Sequence, residues 1–254
     1  MSSTTWTRDA LLSDAIRLRG VCWRVVESQS RGSTLKLTDT LDEQLLLEQI
    51  IEKTKPPIPE AALKLHYLLF TPFRYSPYPV SSRFRRAGLS PGVFYASEHS
   101  ETAIAETAFY RLLFFFESPD TPWPNNPLDF RAFAARFNAA RGADLTRPPL
   151  DAHQRRWTDP ADYSFCLTFA DAARAAGLQA IRYQSVRDPT KRANLALLDV
   201  AVLTPAQKFD EETWILHFGE SGVRAICENP KRSLAFDRTS FAADPRSAAW
   251  RWER

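Results

Sequence analysis

The spacing of apolar and polar positions predicts strands and helices interleaved along the whole chain. "VCWRVVES" (Val21 to Ser28) is short, β-branched and aromatic, which predicts a strand carrying Arg24 within it. In "LDEQLLLEQIIEKTK" (Leu41 to Lys55), Leu45, Leu46 and Ile50 fall opposite Glu48 and Glu52, an amphipathic helix expected to pack on the rest of the protein. The prolines of "KPPIPE" end it, because proline cannot continue the backbone ladder. "GVFYA", a glycine followed by β-formers, predicts a strand ending near Tyr95. The segment "SEHSETAIAETAFYRLLFFFES" then predicts a helix with Ser100 as its N-cap and Glu101 in its first turn. On that helix Thr102, Ala103, Glu106, Tyr110 and Leu113 share one side.

The second half continues the alternation. "PDTPWPNNP" (Pro119 to Pro127) is a proline-stiffened loop, a lid or a crossover. In "FRAFAARFNAARGADL" the residues Phe130, Phe133, Ala134 and Phe137 fall at helical spacing, so periodicity alone favours a helix there. "DYSFCLTFADAARAAG" predicts a helix with Asp162 near its start and Gly177 just past its end. "LQAIRYQS" and "LALLDVAVL" predict strands joined by the turn "VRDPTKRAN", and "WILHFGESGVRAIC" predicts a strand pair turning at Gly219 to Gly222. The last stretch, "RTSFAADPRSAAWRWER", is expected to be a tail or an edge element.

Composition narrows the function classes. The 254 residues carry 33 Lys plus Arg against 30 Asp plus Glu, a net charge of +3 that announces neither a nucleic-acid nor a membrane partner. The basic clusters "SRFRR" and "HQRRW" are short and lack a recognition helix. Cys22, Cys166 and Cys227 are odd in number and contain no CxxC pair, which favours a reducing compartment, the cytoplasm, over a disulfide framework. The N-terminus has acidic residues where a signal peptide needs its apolar stretch, and no apolar run approaches the roughly 20 residues of a membrane span. His66, His99, His153 and His217 never fall at metal-ligand spacing, so no metal is expected. GxGxxG, GxxxxGK[ST] and GxSxG are all absent, so the chain carries no motif for a Rossmann cofactor site, a P-loop or a hydrolase elbow.

One constellation carries chemistry. A loop arginine, Arg83, a strand-end tyrosine, Tyr95, and a helical glutamate, Glu106, follow one another within "SRFRRAGLSPGVFYASEHSETAIAE" (Ser82 to Glu106). An arginine offers a planar fork of donors to a pyrophosphate or an adjacent ribose. A tyrosine ring offers a flat face for nicotinamide, and a glutamate can stabilise the oxocarbenium-like charge that develops as an N-glycosidic bond breaks. Each also has an ordinary structural explanation: a solvated basic face for Arg83, core packing for Tyr95, an internal ion pair for Glu106. Ser185, in "RYQSVRDP", is of a type common as a local backbone hydrogen-bonding residue.

The same segment, together with "IRYQSVRDPTKRANLALL", resembles the RES domain, a family named for an arginine, a glutamate and a serine. Arg83, Glu106 and Ser185 match those three positions and Tyr95 matches the tyrosine between the first two, within a resemblance running from about Val21 to Leu203 that also touches "WRVVE", "TPFRYSP" and "DLTRPPLD". It implies an α+β fold like that of ADP-ribosyltransferases, a mixed twisted sheet with helices round an NAD cleft, in which "FRAFAARF" is a strand. It further implies a toxin that consumes NAD+ by hydrolysis or phosphorolysis, or a relative that ADP-ribosylates a protein. Its partner would be a helix-turn-helix antitoxin whose C-terminal part blocks the cleft. On this reading Glu106 stabilises the ribosyl cation, Arg83 orients phosphates or ribose, Tyr95 stacks beside nicotinamide and Ser185 holds Glu106 or the ribose. Arg24, Arg74 and Arg187 become further candidates for phosphate contacts. The division expected is a mainly helical extension over 1–70 packed on the main domain, a catalytic domain over 71–220 and an edge element or tail over 221–254, with a homo-oligomer possible. Two departures stand out: "SSRF" replaces the Gly-Gly-Arg-Trp of many members, and about seventy residues precede the Arg83 motif. A non-catalytic binding module is the remaining alternative.

Overall fold

The stretch whose spacing looked helical is the longest strand of the protein. In the computed structural model, which describes residues 6–28, 37–75 and 77–253, β3 (Leu128–Asp144) runs through the middle of an eight-stranded sheet. Phe133, Ala135, Phe137 and Ala139 alternate into one apolar cluster while Phe130 and Ala132 face another. Two interleaved rows of period two, one on each buried face, therefore produced the helix-like spacing of the phenylalanines.

β3 organises the rest. It pairs antiparallel with β1 (Ile16–Glu27) from Ile16↔Gly142 to Glu27↔Phe130. At its start it pairs with β6 (Glu211–Gly219) and at its end, in parallel, with β4 (Ala180–Gln184). β4 pairs with β5 (Ala193–Leu197), β5 with β2 (Phe94–Ser97), and β2 returns to β1 through the single pair Trp23↔Ser97. Five strands, β1, β2, β5, β4 and β3, thus close into a ring, and β6, β7 (Gly222–Cys227) and β8 (Arg232–Phe236) extend it from one side.

The helices cover this sheet unevenly. The short α1 (Arg8–Ser13) lies against α6 (Ser164–Ala175), which with Trp157 and Phe169 fills one apolar cluster. Gly177, at φ +76°, ends α6 with paired bonds from Gly177 N to Arg174 O and Leu178 N to Ala173 O, the left-handed cap that its position predicted. α3 (Tyr67–Arg74) packs on the ring, and α4 (Ser100–Glu117) lies across β1. The N-cap of α4 is His99, not Ser100. Ser100 is already helical and its hydroxyl reaches the side chain of Glu101. The four-residue α5 (Gln154–Trp157) buries Trp157 beside α6.

Three expectations change. α2 (Leu41–Thr54) forms, with Thr40 and Glu43 as a reciprocal capping box, but buries none of its residues. Its aliphatic side chains are spread round the helix; Leu41, Leu45, Leu46 and Ile50 stay exposed, and an ion pair of Glu52 with Arg74 at 2.7 Å joins it to α3. The first seventy residues are not only helical, since they supply β1, and β7 and β8 come from beyond residue 221, so the expected three-part division cuts through one sheet. The final stretch is not a loose tail: Trp250 stacks on Phe116 at 4.3 Å, Trp252 lies beside Trp123, and Asp244 is fully buried. Among the described residues no helix is long and apolar enough to cross a membrane.

β2 is set against α3 by close backbone contact. A Cβ added to Gly92 would lie 1.8 Å from the carbonyl oxygen of Pro72, so Gly92→Ala forces β2 away from α3 and should lower stability by about 1–3 kcal/mol in urea unfolding. An unchanged midpoint would show that this approach does not fix β2.

Candidate active site

β1 and β2 meet at one residue pair and then part, and the cavity sits over that opening. It has a volume of about 910 Å3, and its wall includes Trp23 and Arg24 from β1, Tyr95 and Ser97 from β2, and Glu106 from α4. Pockets of a few hundred to about 1,000 Å3 are of the size that encloses a small ligand or cofactor.

Glu106 occupies the second turn of α4, on the side of the helix turned toward β5. Its Oε1 accepts two hydrogen bonds, from Ser185 Oγ at 2.7 Å and from Asn194 Nδ2 at 2.6 Å. Both donors are themselves oriented. The Ser185 oxygen accepts from the backbone N–H of Arg187 (3.2 Å) and of Asp188 (3.0 Å), so its own proton is left for Glu106. Asn194 accepts from Ser97 Oγ through Oδ1 at 2.6 Å, which turns its amide nitrogen toward the carboxylate. Among the described residues Oε2 of Glu106 takes no hydrogen bond, which leaves one carboxylate oxygen for a ligand.

The turn holding Ser185 is pinned to the same helix. Buried Asp188 accepts from Thr102 Oγ1 of α4 at 2.6 Å and from Arg192 Nε at 2.7 Å. Burial opposes its ionisation, yet these bonds and those from Thr190 hold its carboxyl down to about 2.

Arg83 is 8% exposed and gives Nη1 to the Trp157 carbonyl at 2.7 Å, with its guanidinium over the Tyr163 ring at 4.6 Å. Tyr95 braces the loop that carries it: the phenol accepts from Phe84 N and bonds Ser82 Oγ, each at 2.9 Å, one residue to either side of Arg83. Burial, only partly offset by those bonds, raises the Tyr95 pKa, so the phenol stays protonated at neutral pH. Tyr183, also on the wall, is raised further by burial and the neighbouring Glu106 charge.

The remaining sequence-predicted residues separate. Arg24 lines the cavity, gives one bond to the Tyr95 carbonyl at 3.3 Å and is lowered to about 10, chiefly by burial. Arg187 also lines it, but its guanidinium is engaged by Asp244 at 2.6 Å and lies over Phe109 at 3.7 Å. Arg74 is not on this wall; it bonds Pro56 O at 2.6 Å and Glu52, joining α3 to α2. Among the described residues no group of His, Cys, Asp and Glu is placed to hold a metal ion.

Two contributors escaped the sequence. Asn194 stood in the quoted run "KRANLALL" as a polar residue at the head of an apolar strand, a usable signal, since asparagine is depleted in strands. Asp244 gave none, because only the fold brings "ADPR" back against Arg187.

The sequence model of the RES domain matches residues 58–218, more than half of the chain. No protein of curated function matches. Among solved structures, the crystal structure of the M. tuberculosis MbcT-MbcA toxin-antitoxin complex is similar at 12% identity, with 95% of this chain and 94% of that chain covered and a TM-score of 0.45.

The Arg187–Asp244 pair is almost without solvent, its side chains 3% and 0% exposed, so removing one partner strands the other charge. Asp244→Ala should cost about 3–5 kcal/mol in denaturant unfolding, and a loss below about 1 kcal/mol would contradict the burial argument. The pH dependence has a defined sign. Burial works against the Asp244 carboxylate, but hydrogen bonds from Arg246 and the charge of Arg187 outweigh it and depress the pKa. Its contribution is therefore full above the ordinary aspartate value and lost as pH falls through the depressed one.

Proposed function

This chain belongs to the RES domain family, and we propose that it is a toxin-type enzyme that cleaves NAD+ at the bond between nicotinamide and ribose. The ADP-ribosyl group passes to water or phosphate, cellular NAD+ is depleted, and an antitoxin protein restrains the activity. The observation that carries this reading is the shared cavity of Glu106, Arg83 and Tyr95, with one oxygen of Glu106 fixed by two oriented donors and the other open.

The chemistry suits a single carboxylate. As the C1′–N bond breaks, its electron pair goes to the ring nitrogen and neutralises the pyridinium, so the leaving group needs no proton. Positive charge grows instead on the ribosyl carbon and ring oxygen. The open Glu106 oxygen stabilises that charge, an electrostatic effect present only as the bond breaks. Arg83 and Tyr95 bound the same space and position the ribose and nicotinamide. Water or phosphate then forms the new C1′–O bond and releases a proton to solvent.

Purified chain, free of antitoxin, is expected to release nicotinamide from NAD+ over time. Glu106→Gln keeps the shape and the Ser185 contact but removes the charge, and should lower kcat by about 100- to 1,000-fold. Ser185→Ala removes one charge-assisted hydrogen bond and should lower kcat by roughly 10- to 100-fold. Turnover by Glu106→Gln equal to that of the unmodified chain would overturn the assignment, and products carrying ADP-ribose on protein would move it to protein modification.

A further inference from the structure

The cavity has a second polar centre, apart from Glu106, on the wall that carries Tyr78. The Arg85 guanidinium lies over the Tyr78 ring at 4.0 Å, and Arg24 is on the same cavity wall. All three residues line the cavity. Neither guanidinium has a carboxylate partner among the described residues. Arg24 gives one bond to Tyr95 O and rests against the Phe94 ring at 4.9 Å. Arg85 gives one to Val80 O at 3.2 Å, and its Nε is buried with no acceptor.

Arg83 likewise has no carboxylate ion pair among the described residues, but it is buried and bonded to the Trp157 carbonyl, while the other neighbouring arginines are paired. Arg86 pairs with Asp171 at 2.6 Å, Arg111 pairs with Glu27, and Arg187 and Arg246 share Asp244. An arginine withdrawn from water without a counter-ion is costly, and an anion arriving in the cavity offsets that cost. A guanidinium fork supported on an aromatic ring is preorganised for phosphate oxygens. The two centres also differ in sign: a carboxylate with an open oxygen at one, two uncompensated cations at the other. That polarity matches a ligand with a cationic base at one end and a diphosphate beyond it.

We infer that Arg85, lying over Tyr78, and Arg24, on the same cavity wall, form an anion subsite that takes the diphosphate of the substrate. This rests on the NAD+ reading for the identity of the ligand but not for the existence of the subsite. Arg85 follows Arg83 by two residues, so one loop serves both ends of the cavity. A consequence is selection for the dinucleotide over nicotinamide riboside, which has the same scissile bond and no phosphate.

Two measurements on the full chain test this. Inorganic pyrophosphate, titrated by calorimetry, should bind the unmodified protein and bind Arg85→Gln and Arg24→Gln at least tenfold more weakly, the loss of a charge-assisted bond. Arg85→Lys, which keeps the charge, should recover part of the affinity, and matched melting temperatures exclude misfolding. In turnover, the kcat/KM ratio for NAD+ over nicotinamide riboside should fall at least tenfold in Arg85→Gln, through KM rather than kcat. Pyrophosphate that fails to bind, or binds all the proteins equally, overturns the subsite. Arg85-dependent pyrophosphate binding without NAD+ cleavage would leave the subsite standing and remove the NAD+ reading instead.

Discussion

The site depends on one crowded oxygen. Oε1 of Glu106 accepts from Ser185 and Asn194, which fixes the carboxylate's plane and leaves Oε2 as its working edge. Neither donor is free to turn away, because backbone N–H groups occupy the serine oxygen and Ser97 occupies the asparagine carbonyl. Three elements meet at that point: α4 brings the acid, the turn after β4 brings the serine and β5 brings the amide. Preorganisation of this kind lets a carboxylate act on a developing cation without reorganising first.

The sheet makes room for it. Because β1 touches β2 through one residue pair, the ring closes at its base and opens above, and the gap becomes the cavity. The C-terminal segment then completes the wall. Asp244 engages both Arg187 and Arg246, so the loop that holds Ser185 and the last residues of the chain share one buried carboxylate. Stability and site geometry are coupled there: loosening the segment also loosens the turn that aims the serine.

Much of this was legible before the fold was known, and the failures have particular causes. The strand at Tyr95, the helix carrying Glu106 and the Gly177 cap followed from local rules that the tertiary structure does not override. β3 misled the periodicity because both of its faces are buried, so two rows of period two mimicked one helical stripe. α2 misled in the opposite way: its leucines predicted packing, and the fold leaves them exposed. Arg74, a phosphate candidate within the family resemblance, sits off the cavity wall and pairs with Glu52. Asn194 and Asp244 act through partners 88 and 57 residues away in sequence, contacts that no local pattern encodes.

On the proposed reading, the open oxygen of Glu106 faces the ribosyl carbon of a bound dinucleotide. A crystal structure of the Glu106→Gln protein with NAD+ tests it most directly. The nicotinamide ribose C1′ is expected in van der Waals contact with the residue 106 side chain, inside the cavity bounded by Arg83 and Tyr95. A dinucleotide bound elsewhere, or one with its adenosine end at residue 106, would contradict it.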